Sequence, residues 1–193
     1  MFARIARVAT VIVMIAYPVV VYVGMTRTTI RTTALALLGL SITLALLRAR
    51  NLSAAGLREA FTPLAPTLVA AAASAASGRA GLLLWVPVFV NLGLLVSFGS
   101  TLRGGAMPMI ERFARLQHAD LPPRGVAWCR GVTKVWVGFF AANATVSAAL
   151  ATAAPFDWWA TYCGGIAYAL VGALMAGEWI LRRIRLGAAT VGP

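Results

Sequence analysis

Glu178 is the one carboxylate that falls well inside a long apolar stretch, and Arg182 stands four residues on, at helical ion-pair spacing. An ionisable group at membrane depth is expensive and points first to a functional site. Glu178 lies near the end of its stretch, so a structural pair with Arg182 explains it at little cost. Arg130 and Lys134 are alternative partners if the last two apolar segments pack together. Together with Glu111, Arg112 and Arg115 they make the candidate contact set for a lipid head group or a protein partner: Glu111, Arg112, Arg115, Arg130, Lys134 and Glu178. No catalytic residue is assigned. A hydrolase or acyltransferase needs a nucleophile beside a base, and the sole histidine, His118, sits in a polar connector. One histidine without neighbouring Cys or carboxylate ligands makes no metal site, and no cofactor is expected. Cys129 and Cys163 are too few for a disulfide framework and are read as free thiols acting as small core residues. A proton-driven transporter would carry a buried acid near the midplane, and none is seen.

These residues are positioned by segments that suit lipid better than water. Apolar residues make up 61% of the 193 and charged residues 11%, against roughly 45–50% and about 25% in soluble domains. A helix crosses a bilayer in about 20 residues, and six apolar segments are drawn, at 8–24, 33–47, 64–77, 82–100, 135–153 and 158–181. The predicted fold is therefore all-α, a polytopic transmembrane bundle of about six spans forming a single integral membrane domain over 1–193. Segment 8–24 is longer than the ~7–15 residues of a signal-peptide core and no A-x-A-like cleavage site follows it, so it is read as a retained first helix. Segment 64–77 is the weakest. Pro63 and Pro66 open it, where a missing N–H costs little, and it reads as a short helix surrounded by protein. Pro18 and Pro87 lie inside spans and predict kinks, tolerable where neighbouring groups satisfy the freed carbonyls.

Cytoplasmic loops hold Lys and Arg in excess, which orients the bundle. With the N-terminus inside, Arg4, Arg7, Arg48, Arg50, Arg58, Arg103, Arg112, Arg115, Arg124, Arg130, Lys134, Arg182, Arg183 and Arg185 are cytoplasmic, and only Arg27, Arg31 and Arg79 lie outside. Trp and Tyr favour the interfaces. Tyr22, Trp85, Trp158 and Trp159 then fall near the outer face, and Trp128 and Trp179 near the inner one. This arrangement predicts a multi-pass membrane protein with both termini in the cytoplasm. The net charge of +12 is spread as topology requires and no nucleic-acid-binding motif accompanies it, so nucleic acid is not an expected partner.

The one substantial soluble stretch is 101–132. Its first part, residues 107–118, reads as a cytoplasmic amphipathic helix lying in the head-group layer. Pro108 suits its first turn, Arg103-Gly-Gly supplies a hinge, and Leu121-Pro-Pro-Arg ends it. Ile110, Phe113, Ala114 and Gln117 share its apolar face; Glu111, Arg112, Arg115 and His118 fill the rest, with Glu111 and Arg115 a favourable pair. The helix serves as a lipid-facing platform or lid, or simply as a connector, and the connector is preferred. Within the spans, Asn91 and Asn143 are read as helix glue, since a mid-span amide seeks partners across helices. Gly165, Ala169, Ala173 and Gly177 form a small-residue stripe that lets helices approach closely; packing within the chain is preferred to a dimer seam, and a homodimer stays open.

The run Met107-Pro-Met-Ile-Glu-Arg-Phe-Ala-Arg, then Leu121-Pro-Pro, Cys129-Arg-Gly-Val-Thr-Lys-Val-Trp, Phe139-Phe140, Asn143 and Gly177-Glu-Trp, resembles a family of small uncharacterised bacterial inner-membrane proteins. Its members are associated with gene clusters for aryl polyene or xanthomonadin-type pigments. The resemblance is strongest over residues 107–183; the last two spans also look distantly like intracellular septation protein A. The first resemblance implies a role in making or exporting a membrane-embedded aryl polyene lipid, and singles out Glu111, Arg112, Arg115, Arg130, Lys134, Trp136, Asn143 and Glu178. The leading expectation is a non-catalytic accessory or scaffold in lipid or pigment assembly. Its partners would be membrane lipids and biosynthetic or export proteins. A small transporter or lipid flippase is the second reading, and a membrane enzyme acting on a lipid or acyl substrate the third.

Overall fold

A computed structural model describes residues 20–24, 26–27, 29–48, 65–116 and 120–186. The sequence expectations on Arg4, Arg7, Pro18, Arg50, Arg58, Pro63, Gln117 and His118, and most of the first expected span, fall outside these residues. Every regular element described is helical. In chain order these are α1 (Ile30–Arg48), α2 (Ala65–Ser77), a 3-10 helix (Ala80–Trp85), α3 (Val86–Ser100), α4 (Met109–Arg115), α5 (Pro123–Ala153), α6 (Phe156–Thr161), a π turn (Tyr162–Ile166) and α7 (Ala167–Leu186). Among the described residues, three helical stretches are long and apolar enough to cross a membrane: Gly81–Ser100, Pro123–Ala153 and Phe156–Arg185. Ala65–Ser77 is apolar but only 13 residues long, short of the ~20 that a span needs.

Two differences from the sequence reading bear on the site. Residues 123–132, expected in the connector, are the opening turns of α5. Pro123 begins the helix, where its missing N–H breaks no bond, and 31 residues at roughly 1.5 Å each make a rod of about 46 Å. The expected helix over 107–118 begins instead at Met109. Pro108 stands just before it with ψ 147, an extended conformation that cannot belong to a helical turn.

The chain divides into two compact units, residues 1–89 with 147–165 and residues 90–146 with 166–193. In the first, α2 stops at Gly78, whose φ of +68 is open to glycine at no steric cost. The Gly78 N–H bonds to the Ser74 carbonyl at 2.8 Å, and the buried Ser74 hydroxyl donates to the Arg79 carbonyl at 3.0 Å. Arg31 of α1 donates to the Ala75 carbonyl at 3.4 Å, placing a cation on the negative end of the α2 dipole.

The kink expected at Pro87 takes the form of a change of helix type. At 3-10 spacing the Leu84 carbonyl would look to residue 87 for its donor, and proline has none. The indole N–H of Trp159 supplies it at 3.1 Å, from a side chain with no exposure at all. Tyr22, Phe156 and Trp159 stack in series at 5.5 and 5.7 Å between centroids. Of the two tryptophans assigned to the outer interface, Trp158 is exposed and Trp159 is core. Cys163, in the π turn, is buried with its sulfur 3.9 Å from the Ser147 hydroxyl, and both cysteines are free thiols.

Candidate functional site

The second unit carries all the candidate contact residues. Its loop after α3 turns at Gly104 and Gly105, with φ of +58 and +73, a conformation that residues with a Cβ rarely adopt. Two hydroxyls then hold the start of α4. Thr101 donates to the Phe98 carbonyl at 2.7 Å and accepts the Met109 N–H at 3.0 Å. Thr133, fully buried on α5, donates to the Cys129 carbonyl at 2.8 Å and accepts the Ile110 N–H at 3.3 Å. Two of the amide groups that every helix start leaves without partners are thereby satisfied.

Docked by that end, α4 turns Glu111 inward. The residue is 5% exposed, whereas Phe113 and Leu116 are 53% and 83% exposed. This corrects the expectation that the face shared by Ile110 and Phe113 is the covered one and that Glu111 lies away from it. The burial is compensated by Arg115, whose Nε and Nη2 meet Glu111 Oε1 at 2.9 and 2.8 Å. Arg112 is exposed and donates from Nε to the Met107 carbonyl at 3.2 Å.

Glu178, on α7, is held from two sides. The Trp128 indole of α5 donates to its Oε1 at 3.0 Å, and Arg182 Nε lies 3.3 Å from the same oxygen. The sequence spacing identified Arg182; Trp128 was seen only as an interfacial aromatic. Arg130 is half-buried and Lys134 exposed, and neither enters the two ion pairs found among the described residues. The six contact candidates therefore separate into a Glu111–Arg115 pair on α4, Glu178 on α7, whose ion-pair partner Arg182 lies outside the six, and the cations Arg112, Arg130 and Lys134.

The Glu178–Trp128 bond lies in a groove of about 820 Å³ between α5 and α7. Arg124 and Arg185 stand at its rim, Ala127, Gly131 and Gly177 line it with small side chains, and Val135, Trp136 and Leu174 line its apolar end. Trp128 and Glu178 meet although each lies more than 20 residues from the short connection at 154–155, so the two helices run antiparallel here, which puts Arg124 and Arg185 at one end of the groove and Val135 and Leu174 at the other. The lining positions recur at three- and four-residue steps on both helices, the signature of one helix face. Arg130 and Lys134 fall off that face.

Asn91 and Asn143 are both 7% exposed, and the Asn143 Nδ2 donates to Asn91 Oδ1 at 3.0 Å. Nearby Phe98, Trp136, Phe139 and Phe140 form a chain of edge-on and tilted ring contacts at 5.2 to 5.8 Å. The small stripe is not buried: Gly165, Ala169 and Ala173 are exposed and Gly177 half-buried, and a Cβ at position 165 or 177 would meet nothing within 4 Å. Packing of the stripe within the chain is thus not what the described residues display. No family model, curated protein or solved structure matches the chain.

Proposed function

We propose that this chain is a bacterial inner-membrane protein of about six spans, with both termini cytoplasmic, that serves as a non-catalytic accessory or scaffold in the assembly or export of an aryl polyene-type lipid or pigment. The observation that carries this reading is the groove between α5 and α7, whose charged rim and apolar end match an amphiphile rather than a small polar substrate. Within it Glu178 is committed to Trp128 and Arg182, the arrangement of a structural carboxylate and not of a proton-transfer base. Positive charge concentrated on one side supports the orientation.

A transporter or flippase is the second reading and would route a polar substrate past Asn91 and Asn143. Their mutual bond and burial favour helix glue instead. A membrane enzyme ranks third, for want of a nucleophile beside a base.

The test is a comparison of organic-solvent extracts, by absorbance and mass spectrometry, from cells lacking the protein and cells complemented with wild type or Glu178→Ala at equal protein level. Loss or mislocation of one pigment or lipid class in the deletion strain, with partial restoration by Glu178→Ala, is expected. An unchanged profile in the deletion strain rules the pathway assignment out.

A further inference from the structure

We infer that the groove between α5 and α7 is a binding site for one anionic membrane lipid, its head group on Arg124 and Arg185 and one acyl chain lying toward Trp136 and Leu174. The inference deepens the accessory reading and rests on its placement of this rim at head-group level.

Charge comes first. Among the described residues Glu178 is the only acidic side chain lining the groove, and Arg182 and the Trp128 indole already engage it. Arg124 and Arg185 are exposed and enter neither ion pair found among the described residues, so the rim presents net positive charge. Guanidinium groups are suited to phosphate by their planar fork of donors. A zwitterionic head group would gain less from two arginines than one carrying a net negative charge.

Length and shape agree. From Arg185 to Leu174 is 11 residues on α7, about 16 Å at the helical rise. That is close to half of the ~30 Å hydrocarbon core, the depth of a single leaflet. The groove is open along one side, and its volume of about 820 Å³ is in the ~300–1,000 Å³ range of ligand clefts. Gly131 and Gly177 let a chain approach the helix backbones, and beyond them the lining is aliphatic or aromatic. A surface contacted only by bulk lipid needs neither the paired arginines at its mouth nor the fixed carboxylate at its middle.

The experiment is native mass spectrometry of the full-length protein in detergent, titrated with phosphatidylglycerol and with phosphatidylcholine of the same acyl chains. Wild type is expected to retain one phosphatidylglycerol with at least about tenfold preference, a size in keeping with two arginine contacts to an anionic head group. Arg124→Gln/Arg185→Gln, confined to exposed side chains, removes the preference. Gly177→Leu, whose Cβ meets nothing, fills the groove and removes retention of both lipids. Arg79→Gln/Arg103→Gln, on exposed cations outside the groove, leaves the preference intact. Equal retention of the two lipids by wild type, or a preference untouched by Arg124→Gln/Arg185→Gln, overturns the inference. So does a wild-type dimer that Gly177→Leu dissociates without any change in lipid selectivity, since a second copy would then occupy the groove. The readout involves no pigment: an unchanged extract profile alongside retained selectivity defeats only the pathway reading, and lost selectivity alongside an altered profile defeats only this one.

Discussion

The bond between Asn91 and Asn143 shows how a buried polar group is made tolerable by a partner on another helix. An amide in hydrocarbon without a hydrogen bond costs several kcal/mol, yet the net worth of such a bond in a membrane is small, because the alternative state also finds partners. A double-mutant cycle with Asn91→Leu and Asn143→Leu is therefore expected to give a coupling of about 0.6 kcal/mol, and no more than about 2, read from thermal unfolding in detergent. Each single change should destabilise more than its share of the double. Strict additivity would mean that the two amides do not act as a pair. Glu111 follows the same logic at higher stakes. A carboxylate 5% exposed is bonded twice by one arginine, and removing one member of such a pair leaves the other uncompensated.

Two helix termini, with Trp159 and α4, show how elements depend on side chains far away in sequence. Pro87 cannot donate to Leu84, and an indole 75 residues on does so. Trp159→Phe keeps most of the ring volume and removes the donor, so it should cost about 1–3 kcal/mol, the usual range for a buried carbonyl left without a partner. Trp159→Ala adds a cavity and should cost about 3–5 kcal/mol. Thermal unfolding of both variants checks this; equal losses would mean that packing alone gives Trp159 its role. The helix α4 is only seven residues long, well below the length at which a helix is stable by itself. Its existence follows from docking, through the Thr101 and Thr133 hydroxyls, and docking decides which face is covered. Phe113 and Leu116 stay outward, where the head-group layer would receive them.

At the scale of the molecule, threading is the property to test. The proposed orientation puts the turn after α2 outside and the loop before α4 inside. In a background with Cys129→Ala and Cys163→Ala, a cysteine replacing the exposed Ser77 is expected to react with a membrane-impermeant maleimide on intact cells. A cysteine replacing the exposed Met107 should react only after permeabilisation. The reverse pattern would invert the bundle. Reaction of both positions on the same side would mean that the stretch 81–100 does not cross. The three long apolar stretches make a membrane protein the natural setting for either outcome, and charge asymmetry is the physical basis for preferring one of them.

Composition and local spacing alone determined a good deal here. The all-helical class, the apolar stretches around 82–100, 135–153 and 158–181, and the i,i+4 pairs Glu111–Arg115 and Glu178–Arg182 all depend on neighbours in sequence, and periodicity reports these directly. Pro87 likewise announced an unsatisfied carbonyl but not who would satisfy it. Tertiary structure alone decided that Trp159 answers Leu84, that Asn91 answers Asn143, that Glu111 turns inward, and that Arg124 and Arg185 flank the groove in place of Arg130 and Lys134. Each of these depends on which face of one helix meets which face of another. A helix shows its faces in its sequence, but the rotation at which it packs is set by the sum of its contacts, and that sum exists only in the folded chain.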